Sequence, residues 1–355
     1  MKNWLILFLL TTMVFTTFQC CTSNSKQSRK PVSTITLSPN KQKYYFNEKI
    51  DVTVTTKIHD GELDNITLYL NNKTLVNSKE TSFTFTIDSL SSLGQNSLRA
   101  VAVKSDKNSN TRVFNFEVLS NYPPEKLNYE IVAEHPHSTE HFTQGLEFNN
   151  GFLYEGTGEH GKSAIYKKDS KSGQVLQSRS LSEKYFGEGI TILNDKLYQL
   201  TYKSQLGFSY NLSDFAVIDS FRFNSKEGWG MTNDGENLIM SNGTASLIWL
   251  NPSDYAEIRQ VQVADNKRIW NYLNELEYSN GKIWANVWTT NQIIRIDAET
   301  GKVTGILDLE GILSIMHRSQ AERIDVLNGI AIHPTTGNLF VTGKLWPKIF
   351  EIKVY

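Results

Sequence analysis

Between Thr34 and Ser120 apolar and polar residues alternate with a period of two, the spacing of strands that bury one face. Val52 and Val54 form one set, and Ile66, Leu68 and Leu70 the next, with the polar pair Asn71–Asn72 marking a turn. Phe83, Phe85 and Ile87, then Leu98, Ala100 and Ala102, then Phe114, Phe116 and Val118 continue the series. No segment here carries a helical period. Several short strands with polar turns predict a small β-sandwich of immunoglobulin-like type over 34–120. Tyr122-Pro123-Pro124 stiffens a linker over 121–127. The region holds no cluster of catalytic residue types, so it reads as a spacer or docking module.

From Asn128 to Tyr355 a second rhythm takes over. A polar or aromatic residue precedes a Gly-apolar or Glu-Leu pair in Gln144-Gly145-Leu146, Glu188-Gly189-Ile190, Trp229-Gly230-Met231, Asn274-Glu275-Leu276 and Asn328-Gly329-Ile330. The lead residues are 44, 41, 45 and 54 positions apart. Each motif is followed by a turn and a second apolar strand, as at Phe152-Leu153-Tyr154 and Lys196-Leu197-Tyr198. Periods of this length, with about four strands each, predict an all-β fold: a five-bladed β-propeller over 128–355. The longer last interval predicts an insertion between Leu309 and Val326 that forms a short helix. Closure demands a partner for the last strand, Lys348 to Tyr355, and Tyr129 to Glu134 is the natural one. The innermost strands line the channel, so the five lead residues are expected to ring one of its mouths. A carboxylate, three carboxamides and an indole suit a pocket for a small polar ligand.

The N-terminus changes the compartment. Lys2 precedes an apolar run from Trp4 to Phe18, too short for a confident membrane span and right for an export signal over 1–21. The two cysteines of the chain, Cys20 and Cys21, close it, which leaves no disulfide framework. Adjacent cysteines there point to a bacterial lipoprotein held at the cell envelope by a lipid anchor. Cys21 is the preferred lipidation site, because cleavage before Cys20 would follow Gln19 where a small residue is expected. The alternative is plain signal cleavage. Residues 22–33 are polar and Ser/Lys-rich and read as a disordered tether. A net charge of −1 with interspersed signs argues against a nucleic-acid partner.

Several stretches resemble one family. Phe142-Thr-Gln-Gly-Leu146, Tyr154-Glu-Gly-Thr-Gly158, Phe186-Gly-Glu-Gly-Ile-Thr191, Leu197-Tyr-Gln-Leu-Thr201 and Glu227-Gly-Trp-Gly230 are similar to plant-type glutaminyl-peptide cyclotransferases, which also occur in bacteria. Leu273-Asn-Glu-Leu276, Ile283-Trp-Ala-Asn286 and Leu327-Asn-Gly-Ile-Ala331 continue the likeness in order, across the repeats but outside the N-terminal region. The resemblance implies a five-bladed propeller that converts N-terminal glutamine of peptides to pyroglutamate and releases ammonia. It implies Glu188 as the catalytic residue. It implies a pocket of Phe142, Gln144, Phe186, Trp229, Asn274, Trp288 and Lys344. Tyr202 stands where the family usually has Trp, which keeps an aromatic wall and adds a hydroxyl. The implied partner is a peptide or protein with N-terminal glutamine, acted on by a monomer.

That chemistry suits these residues. Cyclisation needs a neutral α-amine to attack the γ-carbonyl and a protonated leaving nitrogen, and one carboxylate serves both steps. Glu188 fits if its surroundings raise its pKa towards neutrality. Gln144, Asn274 and Lys344 are candidate donors to the oxyanion, and Phe142, Phe186, Trp229 and Trp288 would hold a ring-ready rotamer. The reaction needs no cofactor and no catalytic metal; a structural calcium is left open. Taken alone, the aromatics are as readily core residues, and Lys344 a surface lysine. The competing function is an inactive cell-surface propeller that binds peptides or glycans. Gly156 to Ser163 spells the phosphate-loop pattern, but a strand-like segment follows where a helix is required. His135, His137 and His141 lie close together, a weak metal signal without a thiol partner.

Overall fold

The computed structural model describes residues 28–355. The export segment, Cys20, Cys21 and the first half of the expected tether lie outside these residues. Strands dominate what is described, with one short α-helix.

The N-terminal part consists of two sheets. Val32–Ser38, Ile50–Lys57 and Ser82–Ile87 form the first, with Ile50–Lys57 in the middle. Leu63–Leu70, Lys73–Ser78, Gly94–Lys104 and Ser109–Leu119 form the second, edged by the short strand Lys43–Tyr45. The alternating apolar positions of both sheets meet in one core that contains Val52, Val54, Ile66, Leu68, Leu98, Ala100, Phe116 and Val118. Order begins earlier than Thr34. Arg29 and Lys104 both pair with Asp60, which fixes the backbone before the strand starts at Val32.

After this come five sheets in chain order. The first is built from Thr143–Asn149, Phe152–Thr157, Ala164–Lys168 and Val175–Ser180. The second runs from Gly187–Leu193 to Val217–Arg222, and the third from Met231–Asn233 to Glu257–Gln262. The fourth runs from Leu273–Ser279 to Val303–Asp308. Its outer edge takes a fifth strand, Glu125–Leu127, in parallel, so the expected linker is partly absorbed into the sheet. The fifth sheet is Leu327–Ile332, Leu339–Gly343 and Lys348–Val354, completed by Tyr129–Pro136 from the other end of the chain. Tyr129 faces Val354 and Pro136 faces Lys348 in antiparallel register. The innermost strands touch in succession and the last meets the first, so the five sheets form a closed ring. Closure removes the unpaired edge that a chain of sheets would expose.

In four of the five innermost strands the repeated motif sits where the strand departs from regular pairing. Register shifts fall between Thr143 and Gly145, Gly187 and Ile190, Leu273 and Leu276, and Leu327 and Ile330. Such a bulge re-aims a side chain away from the pleat. The glycine that follows the lead residue has a steric reason. A Cβ on Gly189 would come 2.4 Å from the Met231 nitrogen, and one on Gly230 would come 1.9 Å from the Asn274 oxygen. Adjacent inner strands therefore approach backbone to backbone. The fourth motif carries Glu275 at this place instead. Its buried carboxylate accepts from Leu146 N at 3.0 Å and Ile330 N at 2.7 Å, bridging the first and fifth inner strands. The stretch between Leu309 and Val326 contains the helix Ile315–Arg318, capped by Ser314.

Candidate active site

The lead residues and the loops between sheets converge on one pocket of about 670 Å³. Its deepest groups are Glu188, Lys344, Gln144 and Asn274, all buried. Phe142, Phe186, Tyr202, Trp229 and Trp288 supply its aromatic wall. All nine positions that the resemblance implied thus face one space. Asn328 is the exception among the five lead residues. It stands behind the wall and donates from Nδ2 to Gln144 Oε1 at 3.1 Å and to the Thr143 carbonyl at 3.0 Å. The Gln144 oxygen is thereby engaged, which leaves its amide nitrogen as a donor.

Burial pushes the Glu188 carboxyl well above the usual carboxylate range; the nearby Lys344 charge opposes the rise and Glu227 adds to it. Burial lowers the Lys344 ammonium, against Glu188 and Asp325. The Lys344 amine also lies 4.8 Å from the centre of the Phe142 ring. Phe142 meets Phe186 edge-on at 6.0 Å, and Phe186 meets Tyr202 at 5.8 Å. On the far side Trp229 and Trp288 cross at 5.5 Å. The Trp229 indole donates to Glu227 Oε2 at 3.0 Å, and Gly243 leaves it room, since a Cβ there would lie 2.6 Å from the ring. Asn274 Oδ1 is buried without a partner, a polar atom aimed at a site rather than at packing.

Eight further residues line the pocket that the motifs did not single out as site residues, among them Glu227, Asn242, Tyr272 and Asp325. Glu227 was readable, lying within Glu227-Gly-Trp-Gly230. Tyr272 and Asp325 precede their strands and carry no periodic signal.

The histidine trio divides. His135 stacks on Phe340 and faces Glu351 at 3.3 Å. His137 and His141 join Glu155, with ligand atoms within 4.8 Å of one another. Lys168 reaches the same carboxylate and lies 3.1 Å from His141 Nδ1, so an ammonium already neutralises Glu155. Burial raises the Glu155 carboxyl, but Lys168, His141 and His137 outweigh it and hold the group well below its ordinary value. The phosphate-loop spelling links Phe152–Thr157 to Ala164–Lys168, strand to strand, without the helix that such a loop requires.

A family model described as glutamine cyclotransferase matches residues 97–354. The chain belongs to the glutamine cyclotransferase family. The match starts inside Gly94–Lys104, so the family's pattern takes in strands of the N-terminal sheets as well as the ring. Within the family, the glutaminyl-peptide cyclotransferase of Arabidopsis thaliana is 41% identical over 226 residues, covering 63% of this chain and 71% of its own length. The crystal structure of the Myxococcus xanthus glutaminyl cyclase aligns with a TM-score of 0.60 at 34% identity, over 65% of this chain and 98% of that one.

Proposed function

We propose that this chain is a glutaminyl-peptide cyclotransferase, an acyltransferase that turns N-terminal glutamine of peptides or proteins into pyroglutamate. The observation that carries the reading is the Glu188 carboxyl, buried among aromatic rings beside Lys344 with its pKa raised. Burial raises the Glu188 carboxyl toward the basicity of a peptide α-amine, which eases proton transfer between the two. The neutral α-amine attacks the γ-carbonyl carbon and forms the ring C–N bond. Glu188 takes the proton that the nitrogen sheds. The oxyanion is met by the Gln144 and Asn274 amides and Lys344. Glu188 then delivers its proton to the amide nitrogen, the C–N bond breaks, and ammonia leaves. Nucleophile and electrophile share one side chain, so packing by Phe142, Phe186, Trp229 and Trp288 acts by freezing the ring-ready rotamer.

In this reading the closed ring is a five-bladed β-propeller, and the N-terminal pair of sheets is an immunoglobulin-like module. The sequence supports a chain exported to the cell envelope, lipid-anchored through Cys21, and acting as a monomer. Tyr202 in place of Trp alters substrate preference rather than abolishing turnover. Incubation with a Gln-initiated peptide should produce a product lighter by one ammonia. Glu188→Gln should reduce the rate by several orders of magnitude while the circular dichroism spectrum is unchanged. No conversion between pH 6 and 9 would favour the inactive binding propeller instead.

A further inference from the structure

The aromatic wall does not stop at the floor of the pocket. It climbs from Trp229, 9% exposed, to Trp288, 37% exposed, and to Tyr272, 54% exposed at the rim. Trp288 crosses Trp229 at 5.5 Å and meets Tyr272 at 6.0 Å, so the three rings form a continuous run. Exposed aromatic surface of this kind, continuous with a pocket, marks a place where a ligand is covered.

The backbone of Tyr272 sharpens the point. Its φ is +65°, a left-handed conformation that is unfavourable for an ordinary L-residue and easier for Gly or Asn. The conformation is locked from both sides. Tyr272 N donates to the Gly243 carbonyl at 2.9 Å, and Trp288 N donates to the Tyr272 carbonyl at 2.9 Å. If the turn alone mattered, glycine would serve it at lower cost. What the tyrosine adds is its ring beside Trp288.

We propose that Tyr272 and Trp288 form the subsite for the residue that follows the N-terminal glutamine, and that it favours an apolar or aromatic side chain there. The proposal rests on the cyclotransferase reading. The reacting α-amine and γ-carboxamide must both reach Glu188 on the floor. The peptide bond that follows therefore points to the mouth, where the next side chain meets the rim. The volume of about 670 Å³ exceeds what one glutamine fills, leaving room for that second residue. Lys226, Glu227 and Asp325 also line the pocket and mix both signs, so they provide no single-sign rule for a charged second residue.

The test is a set of tripeptide amides that differ only after the glutamine: Gln-Phe-Ala, Gln-Leu-Ala, Gln-Ala-Ala and Gln-Glu-Ala. The native enzyme is expected to show kcat/KM about tenfold higher for Phe than for Ala, carried mainly by KM. Tyr272→Gly suits the left-handed backbone and should bring the Phe/Ala ratio close to one. Tyr272→Asn, which also tolerates this φ, should do the same and guards against a folding artefact. A ratio near one in the native enzyme overturns the subsite while leaving the cyclotransferase reading intact. A large ratio that survives both substitutions overturns the role of Tyr272. Failure to convert any of the four peptides overturns the reading on which the subsite rests.

Discussion

The Nδ1 atom of His137 lies 2.6 Å from the carbonyl oxygen of Trp346, two residues beyond Lys344. The turn that carries Lys344 is strained and heavily tied. Leu345 has φ +63°, its N–H donates to the His141 carbonyl at 2.8 Å, and the Trp346 indole donates to the Asp325 carbonyl at 2.8 Å. On its other side His137 faces Glu155 at 3.0 Å, and Thr143 Oγ1 donates to the same oxygen at 2.7 Å. One buried network thus joins the strand of Gln144 to the turn of Lys344, across the seam between the first and fifth ring sheets. His137 ties the turn of Lys344 to Glu155. His137→Phe should lower kcat about tenfold and move the acid limb of the rate profile to higher pH, because Lys344 is the charge that restrains the rise at Glu188. His137→Asn keeps a short donor and should recover part of both effects. A loss of stability with an unmoved pH profile would show a structural role only.

The charges around Glu188 predict where activity is lost in acid. Glu188 works as a base only when ionised, and burial sets its pKa well above the usual carboxylate range. The acid limb of kcat/KM therefore belongs well above that range. Glu227 adds to the rise, so Glu227→Gln, which preserves an acceptor for the Trp229 indole, should move the limb to lower pH. Lys344→Met removes the opposing charge and should move it to higher pH, with a lower plateau from the lost oxyanion donor. Limbs that coincide for all three proteins would remove Glu188 as the titrating group.

Gln144, Glu188, Trp229 and Asn274 were legible in the sequence because a repeat fixes their place, and Phe142 and Phe186 because the family resemblance implied them. Gln144, Glu188 and Asn274 each sit at a bulge on an inner strand that turns the side chain out of the pleat. Periodicity could not reveal that Asn328 would instead turn to Gln144, since that depends on a contact across the ring. The same blindness hid the parallel pairing of Glu125–Leu127 with the fourth sheet and the meeting of His137 with Glu155. Tyr272 was invisible for another reason: its significance lies in a backbone angle that a tyrosine does not advertise. Glu275 did carry a signal, a charge where four sibling motifs have glycine.

That charge leads to a prediction about stability. The Glu275 side chain is fully buried and satisfies two backbone N–H groups on opposite sides of the ring seam. Glu275→Ala leaves both donors unpaired, at a cost of about 1–3 kcal/mol each, and should lower the denaturant midpoint accordingly. Glu275→Gln keeps one acceptor and should cost less. Glu277 accepts from Ile332 N at 2.9 Å, and Glu147 accepts from Ile192 N at 3.1 Å. Burial pushes all three carboxyls up, that of Glu147 to about 8. A carboxyl with a raised folded-state pKa gives its stability in full below its unfolded value, about 4.3. That contribution is lost as pH rises through the folded value. The urea midpoint should therefore fall between mild acid and pH of about 8. Below that window Glu155 works in the opposite sense, since its lowered pKa contributes stability that is lost as acid protonates it. Replacing Glu147 with Gln should flatten the alkaline side of the curve and leave the acid side in place. A midpoint that rises across the alkaline side in the unsubstituted protein would mean that these carboxyls are ionised at little cost.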